Sequence, residues 1–225
     1  MIAIIISHNQ SNYIISMTKS LTCEYLFVLD RCIDDSETIC INNNIPYIIN
    51  DKGIGRQCGL SRNLGVAYFP NDDILFLDGD RLPNFDVNLL DQSPFDLTLV
   101  KCETDIRDNL HKGSWIADKL WGTFNNGVFG SCLLVRRNVL DSIFAKYGHL
   151  FDVDFVRWGE EDRHFGDLAY SVGATCGFAD NNMRVSGSAT ICHERMDDFM
   201  AMTTLRVNKL FALGLDNLLC DSNFE

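Results

Sequence analysis

Ile74-Leu75-Phe76-Leu77-Asp78-Gly79-Asp80 decides how this chain is read. The four apolar residues have the length and composition of a buried strand. That strand delivers two carboxylates, one residue apart, to its C-terminal end. Carboxylates held so close repel one another unless a cation lies between or beside them. Asp oxygens with open water positions suit Mg²⁺ or Mn²⁺, the ions that accompany diphosphates. The same tripeptide also makes an Asx-rich turn after a strand. The residues alone leave both readings open, a site for a metal and a nucleotide diphosphate or a plain turn.

The segments before the pair set its context. Ile2–Ser7 is a continuous run of buried-strand character, and Asn9–Leu21 follows as a helix. Tyr25–Asp30 is a second strand that ends in Asp, Ser36–Asn42 a short helix, and Tyr47–Asn50 a third strand. Gly55–Phe69 reads as a helix with Leu60, Leu64 and Ala67 on its apolar face, and Ile74–Leu77 is the fourth strand. This β-α-β-α-β-α-β order predicts an α/β fold with a mostly parallel sheet covered by helices. Ligands in such sheets lie beyond the carboxyl ends of the strands, where Asp30, Asp78 and Asp80 all fall.

The second half is less regular. Strands are expected at Leu97–Lys101, Phe129–Val135 and Ala174–Phe178, and helices at Arg137–Tyr147, Glu160–Val172 and Asp197–Leu213. On the last helix Phe199, Met200, Leu205, Leu210 and Phe211 form the expected apolar face. Thr104–Asn126 is expected to be a mobile, acceptor-side segment with one helix. No Pro- or Gly-rich linker divides the chain, so one domain is expected over residues 1–225, with a nucleotide-binding half at 1–100 and an acceptor-binding, catalytic half at 101–225.

Composition narrows the chemistry. The chain has 225 residues, 46% hydrophobic and 22% charged, with a formal net charge of -12. No Lys or Arg run marks a basic patch, which disfavours non-specific adhesion to nucleic acid or anionic lipid. Nine Cys are scattered without a C-x-x-C pair, which speaks against a zinc ribbon or thioredoxin motif and fits reduced thiols in a cytoplasm. No apolar stretch has the length of a membrane span or signal core.

Four further segments carry chemistry. In Asp30-Arg31-Cys32-Ile33-Asp34-Asp35-Ser36, Asp30 suits a nucleobase N–H or a ribose hydroxyl, whereas Asp34 and Asp35 suit capping of the next helix. In Trp158-Gly159-Glu160-Glu161-Asp162, acids open an apolar helix. They suit either a fixed general base or simple compensation of the helix dipole. In Cys192-His193-Glu194, His193 could complete a metal site begun by Asp80 or be structural. Gly53-Ile54-Gly55 with Arg62-Asn63 is a candidate for the diphosphate or base. Its glycine spacing misses the dinucleotide fingerprint by one position and follows the third strand, which disfavours hydride chemistry.

The order of these pieces resembles the GT-A-fold glycosyltransferases, nearest the family-2 group and the animal-type galactosyl- and N-acetylgalactosaminyltransferases. The resemblance covers roughly residues 1–195. It runs through Asp30-Arg31-Cys32-Ile33-Asp34-Asp35-Ser36, Ser61-Arg62-Asn63-Leu64-Gly65 (similar to an ARNxG helix), and Asp78-Gly79-Asp80 (a D-x-D motif). It continues with Val128-Phe129-Gly130-Ser131 plus Arg136-Arg137 and Leu140, then Trp158-Gly159-Glu160-Glu161-Asp162 (W-G-x-E-D), then His193. Each motif alone is common; six in this order carry the likeness.

The resemblance implies a metal-dependent transfer of a sugar from a nucleotide-diphosphate sugar, a UDP-sugar foremost, to an acceptor hydroxyl with inversion. It implies Asp80 and His193 as ligands of Mn²⁺ or Mg²⁺, and Asp78 at the ribose or at a metal-bound water. Asp30 would hold the nucleobase with Arg62 nearby, and Gly79, Gly130, Trp158 and Gly159 would line the donor site. Glu161 would orient the acceptor and Asp162 would be the base. Relatives that retain configuration share W-G-x-E, and Arg163 beside Asp162 could pair with it and lower its pKa. The acceptor classes are a glycan, a small molecule, a protein or a modified DNA base, in a bacterial or phage-infected cytoplasm. Competing classes are a nucleotidyltransferase, a haloacid-dehalogenase-type phosphatase and a non-catalytic nucleotide-sugar binder. The phosphatase class wants its D-x-D on the first strand and Thr or Val at position 82; here the first strand ends Ile6-Ser7-His8, and Leu82 stands at that position.

Overall fold

The computed structural model describes residues 1–52, 57–103, 131–156, 160–186 and 196–215. Its strands are β1 (Ile2–Ser7), β2 (Glu24–Asp30), β3 (Tyr47–Asn50), β4 (Ile74–Asp78), β5 (Leu97–Leu99), β6 (Lys101–Cys102), β7 (Cys132–Val135), β8 (Cys176–Phe178) and β9 (Arg184–Val185). Its helices are α1 (Ser11–Ser20), α2 (Ser36–Asn42), α3 (Cys58–Tyr68), α4 (Arg137–Tyr147), α5 (Glu161–Ser171) and α6 (Met196–Ala212), with a 3₁₀ turn at Val87–Gln92.

The main sheet has seven strands in the order β3-β2-β1-β4-β7-β5-β8. β1 pairs in parallel with β2 and β4, and β2 with β3, so Ser7, Asp30, Asn50 and Asp78 end at one edge. β7 is the one strand that runs against the others, pairing antiparallel with both β4 and β5. Every residue of β1 is buried, because helices cover both faces of the sheet. Ile2, Ile4 and Ile6 point into a core with Val66 of α3, Leu140 of α4 and Phe165 of α5. Ala3 and Ile5 point the other way, into a core with Ile14 and Met17 of α1 and Cys40 of α2. This is the single-domain α/β sandwich that the residue order predicts.

Three details differ from the expectation. Leu97–Lys101 is not one strand. The Val100 N–H still donates to Cys132 O at 3.1 Å, but Lys101 and Cys102 then pair with β9 in a separate two-stranded sheet. Second, the buried face of α3 is Gly59, Ser61, Arg62, Gly65 and Val66, while Ala67 is exposed. The helix lies so close to the sheet that a Cβ on Gly65 would sit 2.4 Å from Ile4 Cγ2, so small residues win over large apolar ones there. Third, among the described side chains of α6 the buried ones are Met202, Arg206 and the expected Leu210, while Phe211 is 60% exposed and the side chains of Phe199 and Met200 lie outside the described residues. The Thr104–Asn126 expectation lies outside the described residues. Among the described residues no helix is long and apolar enough to cross a membrane, and no cysteine forms a disulfide.

Candidate active site

Asp78 closes β4, and Asp80 follows one tight turn later. Gly79 N–H donates to Ile6 O at 2.8 Å, which pins the turn against the end of β1. A Cβ on Gly79 would meet Gln10 Oε1 at 2.5 Å, Ile6 O at 3.1 Å and Ser7 Cα at 3.2 Å, so glycine alone fits between the two acids. Arg81 N–H then donates to Asp78 O at 3.0 Å. The turn is therefore real, yet its carboxylates stay accessible. The Asp78 side chain is 31% exposed and that of Asp80 36%, with Arg81 Nε 3.6 Å from Asp80 Oδ1. Leu82 exchanges hydrogen bonds with Ser186, through Ser186 Oγ at 3.0 Å and Ser186 N–H at 2.8 Å.

Asp30 is buried at the end of β2. Its oxygens accept from Arg31 Nε at 3.0 Å, Asn50 Nδ2 at 3.2 Å and Gln57 N–H at 3.4 Å. Asn50 also donates to Ser61 Oγ at 2.9 Å, which ties β3 to α3. Asp34 accepts from Ser36 N–H, the first residue of α2, at 3.2 Å, and also from Ser36 Oγ at 2.6 Å and from Ser11 N–H, the first residue of α1, at 2.8 Å. Burial opposes the charge on Asp34, but these bonds outweigh it and hold the carboxyl below its usual range. Asp35, the N-cap of α2, makes no side-chain cap bond.

Arg62 joins the two acidic motifs. It is 2% exposed, with Nη1 2.9 Å from Glu161 Oε1, Nη2 3.5 Å from Asp78 Oδ1, and its guanidinium 5.3 Å above the Phe151 ring. Burial works against its charge, but Glu161 and Asp78 outweigh that and keep it protonated. The neighbouring Asn63 locks the Phe151 backbone from both sides, donating to its carbonyl at 2.7 Å and accepting from its N–H at 3.0 Å. Ser61, Arg62, Asn63 and Gly65 therefore each make a specific contact between sheet, helix and the 151 loop.

Glu161 and Asp162 form the first turn of α5. Glu161 Oε2 is buried with no hydrogen-bond partner among the described residues. Burial, and then the adjacent Asp162, push its carboxyl above the usual range, with Arg62 opposing. Asp162 is half-buried, and its Oδ1 accepts from Arg163 N–H at 2.8 Å. The Arg163 guanidinium, expected to be able to pair with Asp162, lies 2.9 Å from Glu160 Oε1. Beneath this turn Arg206 of α6 donates to Asp167 at 2.6 and 2.9 Å and to Glu160 Oε2 at 3.4 Å. Behind it lies His164, 1% exposed with neither ring nitrogen partnered among the described residues, and burial pushes its pKa down to about 4.

The structure thus brings Asp78, Arg62, Glu161 and, through its neighbour, Asp162 to one edge of the sheet, with Asp30 on the adjacent strand. Gly130, Trp158, Gly159 and His193 lie outside the described residues, as do Gly53, Ile54 and Gly55. Arg136 and Arg137 lie at the far end of β4, where Arg136 Nη1 and Arg137 N–H donate to Asp73 at 2.9 and 2.7 Å, a structural role. Sequence reasoning read Glu160 only as one of the acids that open the helix, and missed Asp167 and Arg206. The signal for Arg206 was a lone cation at i, i+4 spacing between Met202 and Leu210 on the buried stripe. The chemistry of the accessible pair Asp78 and Asp80, hard carboxylate oxygens in a surplus of negative charge, fits a divalent Mg²⁺ or Mn²⁺. The described residues alone hold no cluster of three ligand side chains.

No family model matches the chain, and no curated protein matches it in sequence. Solved structures do match. The S. aureus TarS fragment 1-349 in complex with UDP-GlcNAc superposes with TM-score 0.65 at 15% identity, over 93% of this chain and 66% of that one. The mannosyltransferase PcManGT from Pyrobaculum calidifontis, in complex with GDP-Man and Mn²⁺, gives 0.59 at 12% identity over 87% of this chain and 58% of its own. The Mycobacterium tuberculosis glucosyl-3-phosphoglycerate synthase with Mn²⁺, UDP-glucose and phosphoglyceric acid gives 0.59 at 15% identity, over 94% and 79%. This chain spans less than two thirds of the first two neighbours' lengths. At such identities the likeness shows the fold, and that fold, with its mostly parallel seven-stranded sheet in one domain, is GT-A.

Proposed function

We propose that this chain is a metal-dependent glycosyltransferase that moves a sugar from a nucleotide-diphosphate sugar to an acceptor hydroxyl. The observation that carries the reading is the Arg62 bridge, which ties Asp78 of the D-G-D turn to Glu161 of the E-D pair, the latter 99 positions from Arg62 in sequence. A donor-binding acidic turn and a candidate base thereby share one cleft at the carboxyl edge of the sheet, where α/β folds bind ligands. The nucleotide sugars in the neighbouring structures support the donor class, with a UDP-sugar favoured. Residues 158–162 serve as the W-G-x-E-D motif of such a transferase, which acts in the cytoplasm.

Asp80 and His193 would hold the Mn²⁺ or Mg²⁺, which when bound neutralises charge on the departing diphosphate. The chain's own residues do the rest. Asp78 contacts the donor ribose, Asp30 sits at the base end of the site with Gly79 beside it, and Gly130, Trp158 and Gly159 would serve the same donor. Arg62 fixes Glu161, whose Oε2, unpartnered among the described residues, receives a hydroxyl of the acceptor. Asp162 takes the proton of the attacking hydroxyl as that oxygen bonds to the anomeric carbon. The bond from that carbon to the diphosphate breaks, and attack from the opposite face inverts the configuration. The acceptor is a glycan, a small molecule, a protein or a modified DNA base.

The test is a panel of sugar nucleotides assayed for metal-dependent hydrolysis and transfer. Release of nucleoside diphosphate from one donor, lost in EDTA and restored by Mn²⁺ or Mg²⁺, is the expected result. Release of pyrophosphate from a nucleoside triphosphate would favour a nucleotidyltransferase. Release of phosphate from simple monoesters would favour a phosphatase, and full activity in chelator would exclude the metal role.

A further inference from the structure

Glu160, the N-cap of α5, has φ 72 and ψ -14, the left-handed region. The other positive-φ residues that are not glycine among the described positions are Asn9, Asn44 and Arg31. Asn enters this region readily, but a Glu does so only when its surroundings hold it there. The Glu160 side chain is fully buried, and both its oxygens are engaged, one by Arg163 at 2.9 Å and one by Arg206 at 3.4 Å. Arg206 is itself braced by Asp167, about two turns further along α5. Glu160 O accepts the first helical bond, from His164 N–H at 2.9 Å. The conformation at 160 therefore sets the direction in which Glu161 and Asp162 leave the chain.

We infer that Glu160 and Arg206 are positioning residues: Arg206, from the C-terminal helix, grips Glu160 in a left-handed turn that aims Glu161 and Asp162 into the cleft. The inference rests on the reading of 161–162 as the acidic pair of a transferase. Neither residue touches substrate. An N-cap without such a grip relaxes toward the extended region usual for that position, and the two acids would then swing away from Arg62 and Asp78.

The test compares two substitutions that lose the same ion pairs and differ in backbone tolerance. Glu160→Gly accepts a positive φ without cost, whereas Glu160→Ala does not. Turnover of Glu160→Ala is expected to fall about tenfold below that of Glu160→Gly, the ratio that left-handed strain in a non-glycine residue implies. Donor KM changes less than turnover, since Asp30, Asp78 and Gly79 lie on other elements. The backbone amides of residues 161–164 exchange faster with deuterium in Glu160→Ala than in Glu160→Gly. Arg206→Lys, which keeps the charge but loses the fork, lowers turnover, and Glu160→Gly placed in that background restores it. Equal turnover and equal exchange in the Ala and Gly variants, or no rescue in the Arg206→Lys background, would overturn the inference. If the unaltered chain transfers sugar from no donor, the functional reading fails instead, and the exchange comparison still decides whether the turn is held as described.

Discussion

Replacing Arg62 with Met should be the most informative single change in this molecule. The guanidinium is only 3% exposed, and Glu161, its partner at 2.9 Å, has a side chain 9% exposed. Methionine fills most of the space but leaves Glu161 buried without a countercharge, and Glu161 Oε2 already has no partner among the described residues. Removing one member of such a pair costs about 3–5 kcal/mol. The second partner, Asp78, is 31% exposed and adds little after solvent screening. For a chain of this size the loss corresponds to a drop in Tm of about 10 °C. The pH dependence gives the argument its sign. Burial already holds the Glu161 carboxyl above its usual range, and loss of Arg62 raises it further. A buried carboxyl with a raised pKa destabilises only while ionised, so the penalty is full above the folded pKa and fades as pH falls towards the unfolded value. Urea denaturation followed by circular dichroism should therefore show a larger deficit at about pH 8 than at about pH 5.5. Glu161→Gln removes the stranded charge, so the double variant should be more stable than Arg62→Met alone at the higher pH, by at least about 1 kcal/mol. An equal deficit at both pH values, with no recovery in the double variant, would refute the bridge as an energetic link.

Other outcomes follow from single contacts. Asp162→Asn can still accept the Arg163 N–H, so it should keep the fold and donor binding while turnover falls about 10²–10⁴-fold; near-normal turnover removes Asp162 as the base. Gly65→Ala should destabilise by about 1–3 kcal/mol despite the helix preference for Ala, because its Cβ would press on Ile4 Cγ2 at 2.4 Å within the central strand. An unchanged Tm would show that α3 can lift off the sheet. His164, with a pKa pushed from 6.5 down to about 4, takes up its proton in the unfolded chain first. Stability is then full above about pH 6.5 and falls by about 3 kcal/mol on the way to pH 4. His164→Leu should flatten that part of the profile, and a profile as steep as before assigns the loss to other groups.

The framework was legible because its signals are local. β1 to β4 announce themselves as short apolar runs, and three of them end in Ser7, Asp30 and Asp78 at the edge where the chemistry gathers. The D-G-D turn shows its geometry in three letters, since only glycine clears the end of β1. The face of α3 was not legible. Hydropathy chose Leu60, Leu64 and Ala67, but close approach to the sheet selects for size, and so Gly59, Ser61 and Gly65 are inside. The break of Leu97–Lys101 into two strands depends on where β9 lies, far away in sequence.

Glu160 marks the harder limit. A left-handed glutamate carries no propensity signal, because local sterics argue against the state it adopts. What holds it is a cation from a helix some forty residues later, and that cation interrupts an otherwise apolar stripe at Met202, Arg206 and Leu210. A charged side chain at a core position is costly unless its partners are supplied by the fold. Such a residue therefore predicts buried acids elsewhere, even before their identity is known. Here the acids are Glu160 and Asp167, and both belong to the segment that presents Glu161 and Asp162. The same logic holds for Arg62 on α3, a cation on a packed face whose partners are acids from two distant motifs. In both cases the misplaced charge in a helical stripe points to the site more directly than the apolar residues around it do.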